Sequence, residues 1–292
     1  MNIAYIILAH KNIAQLRLLM ETLQNKDDSI FLHLDKLAGE EIFHDAKQAL
    51  IDIYNLHFLP RNPTPWGGFG LVKASLTGIH EVIKNPEIDY ALLMSGQDYP
   101  IKPINSFKKV LKENNGKSFL EAFPFPHPYW KDRGGFDRIE RWHFSLPMKR
   151  NRITRRIRVT LNWLMDHLQP NRALPLGYHP FGGSQWWCLH RSCLGYINTF
   201  CRENPGFVRF FKTVRIPDEL IFHTILMNSQ LKSTIINQKL TYVDWESSPG
   251  PKVLDGDDLQ NLMTSAEFFA RKFDIDKSKN IIYELNKKWG RC

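Results

Sequence analysis

The sequence predicts an α/β fold in which a central, mostly parallel sheet is flanked by helices. Apolar, β-branched runs recur along the first hundred residues, and segments with helical spacing separate them. Strands that alternate with helices in this way form parallel sheets with right-handed crossovers. The chain has 292 residues, of which 43% are hydrophobic, so it can bury one large core.

The predicted elements of the first third alternate regularly. Strands are predicted at residues 3–9, 30–34, 51–58 and 90–94, and helices at 12–23 and around 71–83. Polar residues follow three of these strands, namely His10, Asp35 and Asp98. Because ligands of open α/β sheets collect beyond the carboxyl ends of the strands, this edge is the predicted nucleotide site.

The remaining two thirds begin with an irregular stretch, residues 123–177, whose periodicity decays. Regular structure is predicted again after it, with strands at 185–189, 234–236 and 240–243 and helices at 192–201, after Pro217 and at 278–289. We predict one catalytic domain, residues 1–292, in which 123–177 is an insertion that shapes the binding site for the second substrate.

Composition narrows the class of ligand and of location. Lys and Arg number 39 against 30 acids, a net charge of +9, which suits a phosphate-bearing ligand, nucleic acid or an anionic membrane surface. The four cysteines fit no common zinc signature, so we expect reduced thiols. The first apolar run has no basic leader and is too short to span a bilayer, which predicts a cytoplasmic protein, soluble or membrane-associated.

Two adjacent carboxylates, Asp218 and Glu219, stand at the predicted start of the helix after Pro217. Proline suits the first turn of a helix, and the positive end of the helix dipole favours acidic residues there. Both acids are either caps of the helix or carboxylates aimed into a site from a rigid scaffold.

Two glycine-containing motifs can bring backbone close to a ligand. Trp66, Gly67 and Gly68 precede a predicted helix, where their amides would meet an anion or simply form a tight turn. Residues 181–187 (FGGSQWW) combine Ser184 with a pair of tryptophans at the start of a strand. The pair would point to opposite faces of the strand, one toward a ligand and one into the core.

Charged motifs are the third group of candidates. Arg271 and Lys272 lie among phenylalanines at 268–274 (FFARKFD), either as phosphate ligands or as cations that snorkel from the surface. Asp98 either faces a sugar or binds the amides of its own turn. The acidic run 255–258 (DGDD) is better explained as a capping loop than as a cation site, and no DxD or paired-histidine motif is present, so no metal is expected.

Five motifs, WGG, LLMSGQDYPIK, GGSQWW, PDELIFHTIL and FFARKFD, occur in an order that resembles the family of core 2/I-branching N-acetylglucosaminyltransferases and peptide O-xylosyltransferases. The resemblance runs from about residue 3 to 273 and is weakest at 130–177. Within the family the motifs are most similar to those of the xylosyltransferases, and the short chain is similar to the bacterial members. It implies a GT-A-like, Rossmann-type nucleotide-sugar-binding fold, inversion at the anomeric carbon and independence from metal.

The resemblance also implies roles for single residues. Glu219 matches the catalytic base, and Lys272 matches a cation on the donor diphosphate. The family's second diphosphate cation is an arginine at a position that here holds Thr241, so Arg271 or Lys252 would have to substitute.

The remaining candidates are assigned by position, and no cofactor is expected. His10 and Asp35 would contact uridine; Trp66, Gly67 and Gly68 the nucleotide or sugar; Asp98 and Ser184 the sugar; and Glu121, Trp130, Arg138 and Trp186 the acceptor. The predicted reaction moves N-acetylglucosamine or xylose from a UDP-sugar to a hydroxyl of a saccharide, glycoconjugate or lipid-linked acceptor.

The basic segment 149–158 supports a different class of function. Five arginines and one lysine are interleaved there with apolar residues, as in a non-enzymatic binder of nucleic acid or of an anionic surface. In an enzyme the same segment would make a peripheral contact with the inner face of the cell membrane. The alternative is a solvated helix that packs its apolar side on the catalytic domain.

Overall fold

A seven-stranded sheet forms the centre of the computed structural model, which describes residues 1–145, 152–168, 172–245 and 250–290. The strands in this part of the chain are β1 (Asn2–Ala9), β2 (Ser29–Leu34), β3 (Leu56–Phe58), β4 (Ile88–Ser95), β5 (Asp98–Pro100), β6 (Ser118–Phe119), β7 (Phe123–Pro124), β8 (Phe181–Gly182), β9 (Cys188–His190), β10 (Ile235–Ile236), β11 (Thr241–Val243) and β12 (Phe269–Arg271). The helices are α1 (Ile13–Leu23), α2 (Glu40–Ala49), α3 (Gly70–Lys84), α4 (Ile104–Glu113), α5 (Lys131–Gly134), α6 (Asp137–Glu140), α7 (Arg152–Leu168), α8 (Arg191–Glu203), α9 (Pro205–Phe211), α10 (Ile221–Met227), α11 (Leu259–Thr264) and α12 (Ile275–Lys288).

The order of strands confirms the predicted α/β class. The central sheet runs β10-β6-β9-β4-β1-β2-β3, and β1 pairs in parallel with both β2 and β4. Only β9, which pairs antiparallel with β4 and β6, breaks the mostly parallel arrangement of the described strands. The carboxyl ends of β1, β2 and β4 therefore meet at one edge, as the strand-end residues predicted.

The core lies on both faces of this sheet because β1 is buried on both. Alternate residues Ile3, Tyr5 and Ile7 belong to one hydrophobic cluster, and Ala4, Ile6 and Leu8 belong to the other. Side chains of a strand point to opposite faces in turn, so a strand covered on both sides carries a continuous apolar run. That burial explains why the first element was the easiest to predict.

Several of the described elements differ from the prediction. The strand expected at 51–58 is shorter, Leu56–Phe58, and Ile51 is 85% exposed. It is preceded by α2, which was not predicted because Ala46 is its one buried residue and its sequence is mostly polar. The strand expected at 185–189 begins three residues later, at Cys188.

A second, three-stranded sheet positions the last part of the chain. Its order is β11-β12-β5, with β12 parallel to β11 and antiparallel to β5. A two-stranded pair, β7 and β8, joins the start of the 123–177 stretch to the glycine motif at 181–182. Both small sheets bring distant segments to the same edge of the central sheet.

The 123–177 stretch contains α7, whose bounds could not be predicted because the hydrophobic periodicity of this stretch is weak. Lys149 and Arg150 of the basic segment lie outside the described residues, whereas Arg152 to Arg158 form the first two turns of this helix. Within the described ranges, no helix is long and apolar enough to cross a membrane. Cys188, Cys193 and Cys201 are free thiols.

Candidate active site

The loop before α10 carries Glu219 on a constrained backbone. Pro217–Glu219 form one turn of 3-10 helix, not the start of a continuous α-helix, and the preceding Ile216 has φ 53° and ψ 58°. A left-handed conformation is unusual for a β-branched residue and costs about 1–3 kcal/mol. The amide of Ile216 donates a 3.1 Å hydrogen bond to the carbonyl of Gly67, which ties this loop to the Trp-Gly-Gly turn.

The carboxylate of Glu219 is accessible and held by an arginine. Nη1 of Arg138 donates to Oε2 of Glu219 at 2.7 Å, and the glutamate side chain is 31% exposed. The guanidinium of Arg138 also stacks on Trp130, 3.6 Å from the ring centroid. Arg138 and Trp130, which were assigned to the acceptor, therefore form the support of the predicted base itself.

Asp218 differs from its neighbour in that it is buried. Its side chain is 3% exposed, and Oδ1 has no hydrogen-bond partner among the described residues. Burial, followed by the charge of Glu219, raises the pKa of Asp218 to about 7, which favours the neutral acid. Of the two carboxylates, only Glu219 can meet a substrate.

The segment Gly183–Trp186 lies beside Glu219 and depends on glycine. A Cβ on Gly183 would stand 1.8 Å from the carbonyl oxygen of Glu121, so a side chain is excluded. The amide of Gly183 donates to the carbonyl of Glu219 at 3.1 Å, and the carbonyl of Ser184 accepts from Nε2 of His223 at 3.0 Å. Glu121, which was assigned to the acceptor, thus contributes its backbone to the packing of this segment.

The two tryptophans of the motif divide as the alternation predicted. Trp187 is 1% exposed and packs edge-on against Phe222 in the core. Trp186 instead lies under Arg271, with the guanidinium carbon 4.5 Å from the ring centroid. Trp186, which was predicted to contact the acceptor, is thus also a support for Arg271.

Arg271 is fixed by a second contact, a buried ion pair with Asp98. The two residues face each other in the register of β12 and β5, and Oδ1 of Asp98 lies 3.6 Å from Nε of Arg271. Asp98 is 0% exposed, and its Oδ2 accepts from the amide of Ser95 at 2.8 Å. Asp98, which was predicted to contact the sugar or to bind the amides of its own turn, is buried, accepts from the amide of Ser95 and holds Arg271.

Lys272 lies among other cations. Burial, followed by the charges of Lys11 and Arg271, lowers the pKa of Lys272, as expected for an ammonium whose neighbours have the same charge. Nζ of Lys11 bonds to Oδ2 of Asp274 at 2.8 Å, which brings the end of β1 to the residues after β12. We refer to Lys11, Arg271 and Lys272 as the cation cluster.

Lys11 is the residue that sequence reasoning missed. The available signal was its place beside the strand-end His10, since both follow the most strongly predicted strand. His10 is exposed at the same edge. Pairing of Lys11 with a residue 263 positions away has no local sequence signature.

Lys252, the suggested substitute, lies next to the cation cluster, since its carbonyl accepts from the amide of Lys272 at 3.2 Å. Its ammonium bonds to Oδ1 of Asp258 at 2.6 Å, within a capping box that Asp255 and Asp258 form. The acidic run at 255–258 is thus a capping loop, as predicted. Thr241 is buried and pairs with Phe269, two residues before Arg271. Over the described residues, no three His, Cys, Asp or Glu side chains form a group that could hold a metal ion.

Asp35 organises the loop that leads to the Trp-Gly-Gly turn. Its Oδ1 accepts from the amides of Leu37 at 2.9 Å and Thr64 at 3.0 Å, and the residue is 8% exposed. Trp66, two residues after Thr64, is 67% exposed and open to a ligand. The predicted uridine-side residues therefore lie together, with Asp35 in a supporting role.

Comparison with known proteins finds xylosyltransferases among the relatives of this chain. The chain is 23% identical over 308 residues to xylosyltransferase 2 of Rattus norvegicus and 25% identical over 306 residues to the xylosyltransferase of Ciona intestinalis. The alignments cover 97% and 98% of this chain, and 33% and 34% of those proteins. The chain thus spans about a third of the length of the curated relatives it matches.

A solved structure, S. aureus TarS 1–349 in complex with UDP, aligns with 41% of this chain and 35% of its own, at 14% identity and a TM-score of 0.31. Family membership comes from a broader match. The sequence model of the Core-2/I-branching enzymes matches residues 3–265, and the chain therefore belongs to the Core-2/I-branching enzyme family.

Proposed function

We propose that this chain is an inverting, metal-independent glycosyltransferase that moves a sugar from a UDP-sugar to a hydroxyl group. Its family and the xylosyltransferases among its relatives support this reaction class. Glu219 acts as the general base, and the cation cluster binds the diphosphate of the donor. The five sequence motifs, and the GT-A-like fold that the family resemblance implies, agree with this assignment.

One observation carries the proposal: a single short segment joins an accessible carboxylate to a group of cations. At one end of Gly183–Trp186, the amide of Gly183 bonds to the backbone of Glu219. At the other end, Trp186 stacks on Arg271, which adjoins Lys272. A sugar bound along this segment would present its anomeric carbon between the base and the diphosphate, which is the geometry that a direct displacement needs.

The reaction is a single displacement. The acceptor oxygen forms a bond to the anomeric carbon as the bond from that carbon to the UDP oxygen breaks, which inverts the configuration. The hydroxyl proton passes to the carboxylate of Glu219, and the bonding electrons leave with UDP. General-base assistance contributes typically 10²–10⁴-fold. Arg138 keeps Oε2 occupied, so it orients the carboxylate while the other oxygen receives the proton.

Charge develops on the leaving diphosphate, and the cation cluster stabilises it. Cations that are positioned before the reaction cost no reorganisation in the transition state. Arg271 is held on two sides, by Asp98 and Trp186, and Lys11, which is held by Asp274, adds a further positive charge beside Lys272. These side chains take the electrostatic role that a divalent metal has in other transferases.

The donor sugar is xylose or N-acetylglucosamine, and the acceptor is a saccharide, a glycoconjugate or a lipid-linked sugar. The relatives are named for xylose transfer, whereas the family is named for branching enzymes. The two donors differ in groups at C2 and C5 of the ring, so the choice depends on the space near Trp66 and Ser184.

A donor screen combined with one variant tests the proposal. UDP, UDP-xylose, UDP-glucose and UDP-N-acetylglucosamine are compared for stabilisation against thermal unfolding, and the best donor is used for turnover with a panel of acceptors. Glu219→Gln should keep the stabilisation by the donor but lose at least about a hundredfold in kcat, because an amide cannot accept the proton.

Glu140→Gln is the matched control. Glu140 is 32% exposed and is paired with Arg133, so it resembles Glu219 in exposure and partner without touching the site. Its variant should turn over like the wild type. A folded Glu219→Gln protein with near-normal kcat would remove Glu219 from the mechanism, and no response to any UDP-sugar would refute the transferase assignment.

A further inference from the structure

The helix α7 exposes an apolar stripe, which we define as Ile153, Ile157, Leu161, Leu164 and Leu168. These side chains are 69%, 47%, 37%, 42% and 66% exposed, respectively. At 3.6 residues per turn, their spacing of four, four, three and four positions confines them to an arc of about 80° on one face. The expectation that the apolar side of this segment packs on the domain is therefore wrong for these residues.

The polar side of α7 faces the protein instead. Oδ1 of Asn162 accepts from the amide of Phe144 at 2.8 Å, and Oδ1 of Asp166 accepts from the amide of Trp142 at 3.0 Å. An ordinary surface helix buries its apolar face and exposes its polar face. The reversed orientation leaves the apolar stripe available to a partner, and contiguous exposed apolar surface of this kind marks interaction sites.

Charge identifies the partner. Arg152, Arg155 and Arg156 are exposed on α7, and the one acidic residue of the helix, Asp166, bonds to the domain. A helix that presents apolar side chains together with arginines complements the headgroups and acyl boundary of an anionic bilayer. Trp163, 60% exposed on the same helix, is the residue type that prefers this interface. The net charge of +9 acts in the same direction.

We propose that α7 docks the protein on an anionic lipid surface, with the apolar stripe inserted at the acyl boundary and the three arginines at the headgroups. The helix lies in the plane of the interface and does not cross it. This proposal does not depend on the reaction, because lipid binding can be measured without turnover.

The docking surface adjoins the candidate active site. Residues 142–145, to which α7 is bonded, pack on the Trp-Gly-Gly turn: a Cβ on Gly68 would stand 2.2 Å from Oγ of Ser145. The neighbouring Gly67 accepts the hydrogen bond from Ile216, three residues before Glu219. A bilayer on α7 would thus lie near the loop that carries Glu219, and an acceptor anchored in that bilayer would be concentrated there.

Co-sedimentation with vesicles tests the proposal. The full chain is mixed at physiological salt with vesicles of phosphatidylcholine alone or of equal parts phosphatidylcholine and phosphatidylglycerol. Two triple variants are compared: a stripe variant (Ile157→Ser, Leu161→Ser, Leu164→Ser) and an arginine variant (Arg152→Gln, Arg155→Gln, Arg156→Gln). A matched control replaces exposed apolar residues elsewhere, Ile51, Tyr54 and Tyr283, by serine.

The wild type and the control variant should bind the anionic vesicles, and each α7 variant should lose at least about tenfold in partition coefficient. All variants should keep the wild-type melting temperature, since the changed side chains are exposed. Absence of wild-type binding, or binding that the stripe variant retains, would overturn the proposal. If the vesicles do not bind, self-association through the stripe in sedimentation velocity, or retention of the protein by duplex DNA, would also overturn the proposal.

Discussion

Replacing Asp218 by asparagine should change how the stability of this protein depends on pH. Asp218 is buried, one of its oxygens has no partner among the described residues, and its pKa is raised to about 7 by burial and by Glu219. In the unfolded chain the pKa of the same group is close to its ordinary value of 3.8. Between these two values the folded protein binds a proton that the unfolded chain has released.

The sign and size of the effect follow from this difference. Because the folded state binds more protons, the free energy of unfolding falls as pH rises from about 4 to about 7 and is level above that. Each pKa unit corresponds to about 1.4 kcal/mol, so Asp218 removes up to about 4 kcal/mol of stability across this window. An asparagine resembles the neutral acid in shape and cannot ionise, so the variant should lack this loss.

Melting temperatures at pH 5 and pH 8.5 measure the effect. Asp98 and several histidines titrate in the same range. For each protein we therefore take the difference between the melting temperatures at pH 5 and pH 8.5, and we subtract the difference for Asp218→Asn from that for the wild type, which removes the contribution of the other groups. The variant should be the more stable protein at pH 8.5 by several degrees and similar at pH 5. Asp27→Asn, at an exposed carboxylate, is the control and should follow the wild type. Parallel curves for the wild type and Asp218→Asn would refute the burial argument.

Three further predictions concern the donor site and the base. Turnover should persist in excess EDTA, because the cation cluster neutralises the diphosphate; loss of activity that Mn²⁺ or Mg²⁺ restores would contradict this. Lys11→Ala and Lys272→Ala should each raise the Kd for UDP about 10- to 100-fold in a calorimetric titration, with little change in the acceptor KM, since a charged hydrogen bond contributes about 1.5–3 kcal/mol. Lys84→Ala is the matched control because its ammonium is paired with Glu81, as that of Lys11 is with Asp274, and an equal loss in this control would argue against the assignment of Lys11. Arg138→Ala should lower kcat about tenfold or more while the affinity for UDP stays unchanged, and Arg138→Lys should restore part of the lost kcat. An unchanged kcat in Arg138→Ala would show that Glu219 does not need the hydrogen bond from Arg138.

The parts of the fold that were predictable from the sequence are those whose burial is uniform. The strand at 2–9 is covered on both faces and is a continuous apolar run, whereas α2 fully buries one alanine and packs Ile42 and Phe43 only partly against the core. The division of Trp186 and Trp187 was expected from strand alternation, although both residues stand just before β9.

The contacts between distant segments could not be predicted in this way. Arg138 reaches Glu219 from 81 positions earlier, and Lys11 reaches Asp274 from 263 positions earlier. Asp98 had two local interpretations, and the register between β12 and β5 decides for the structural one because it places Arg271 opposite. A sequence motif identifies which residue types are present, but pairing across the fold decides which of them face a ligand.

The place of β12 between β11 and β5 has a consequence for synthesis of the chain. Gln15, near the start, bonds through its side chain to the carbonyl of Phe273 and the amide of Ile275, so the first and last segments complete each other. The central sheet can pair while translation is still under way, but the proposed donor site cannot form until residues 271–275 have left the ribosome. Chains interrupted before residue 275 should therefore bind no UDP-sugar.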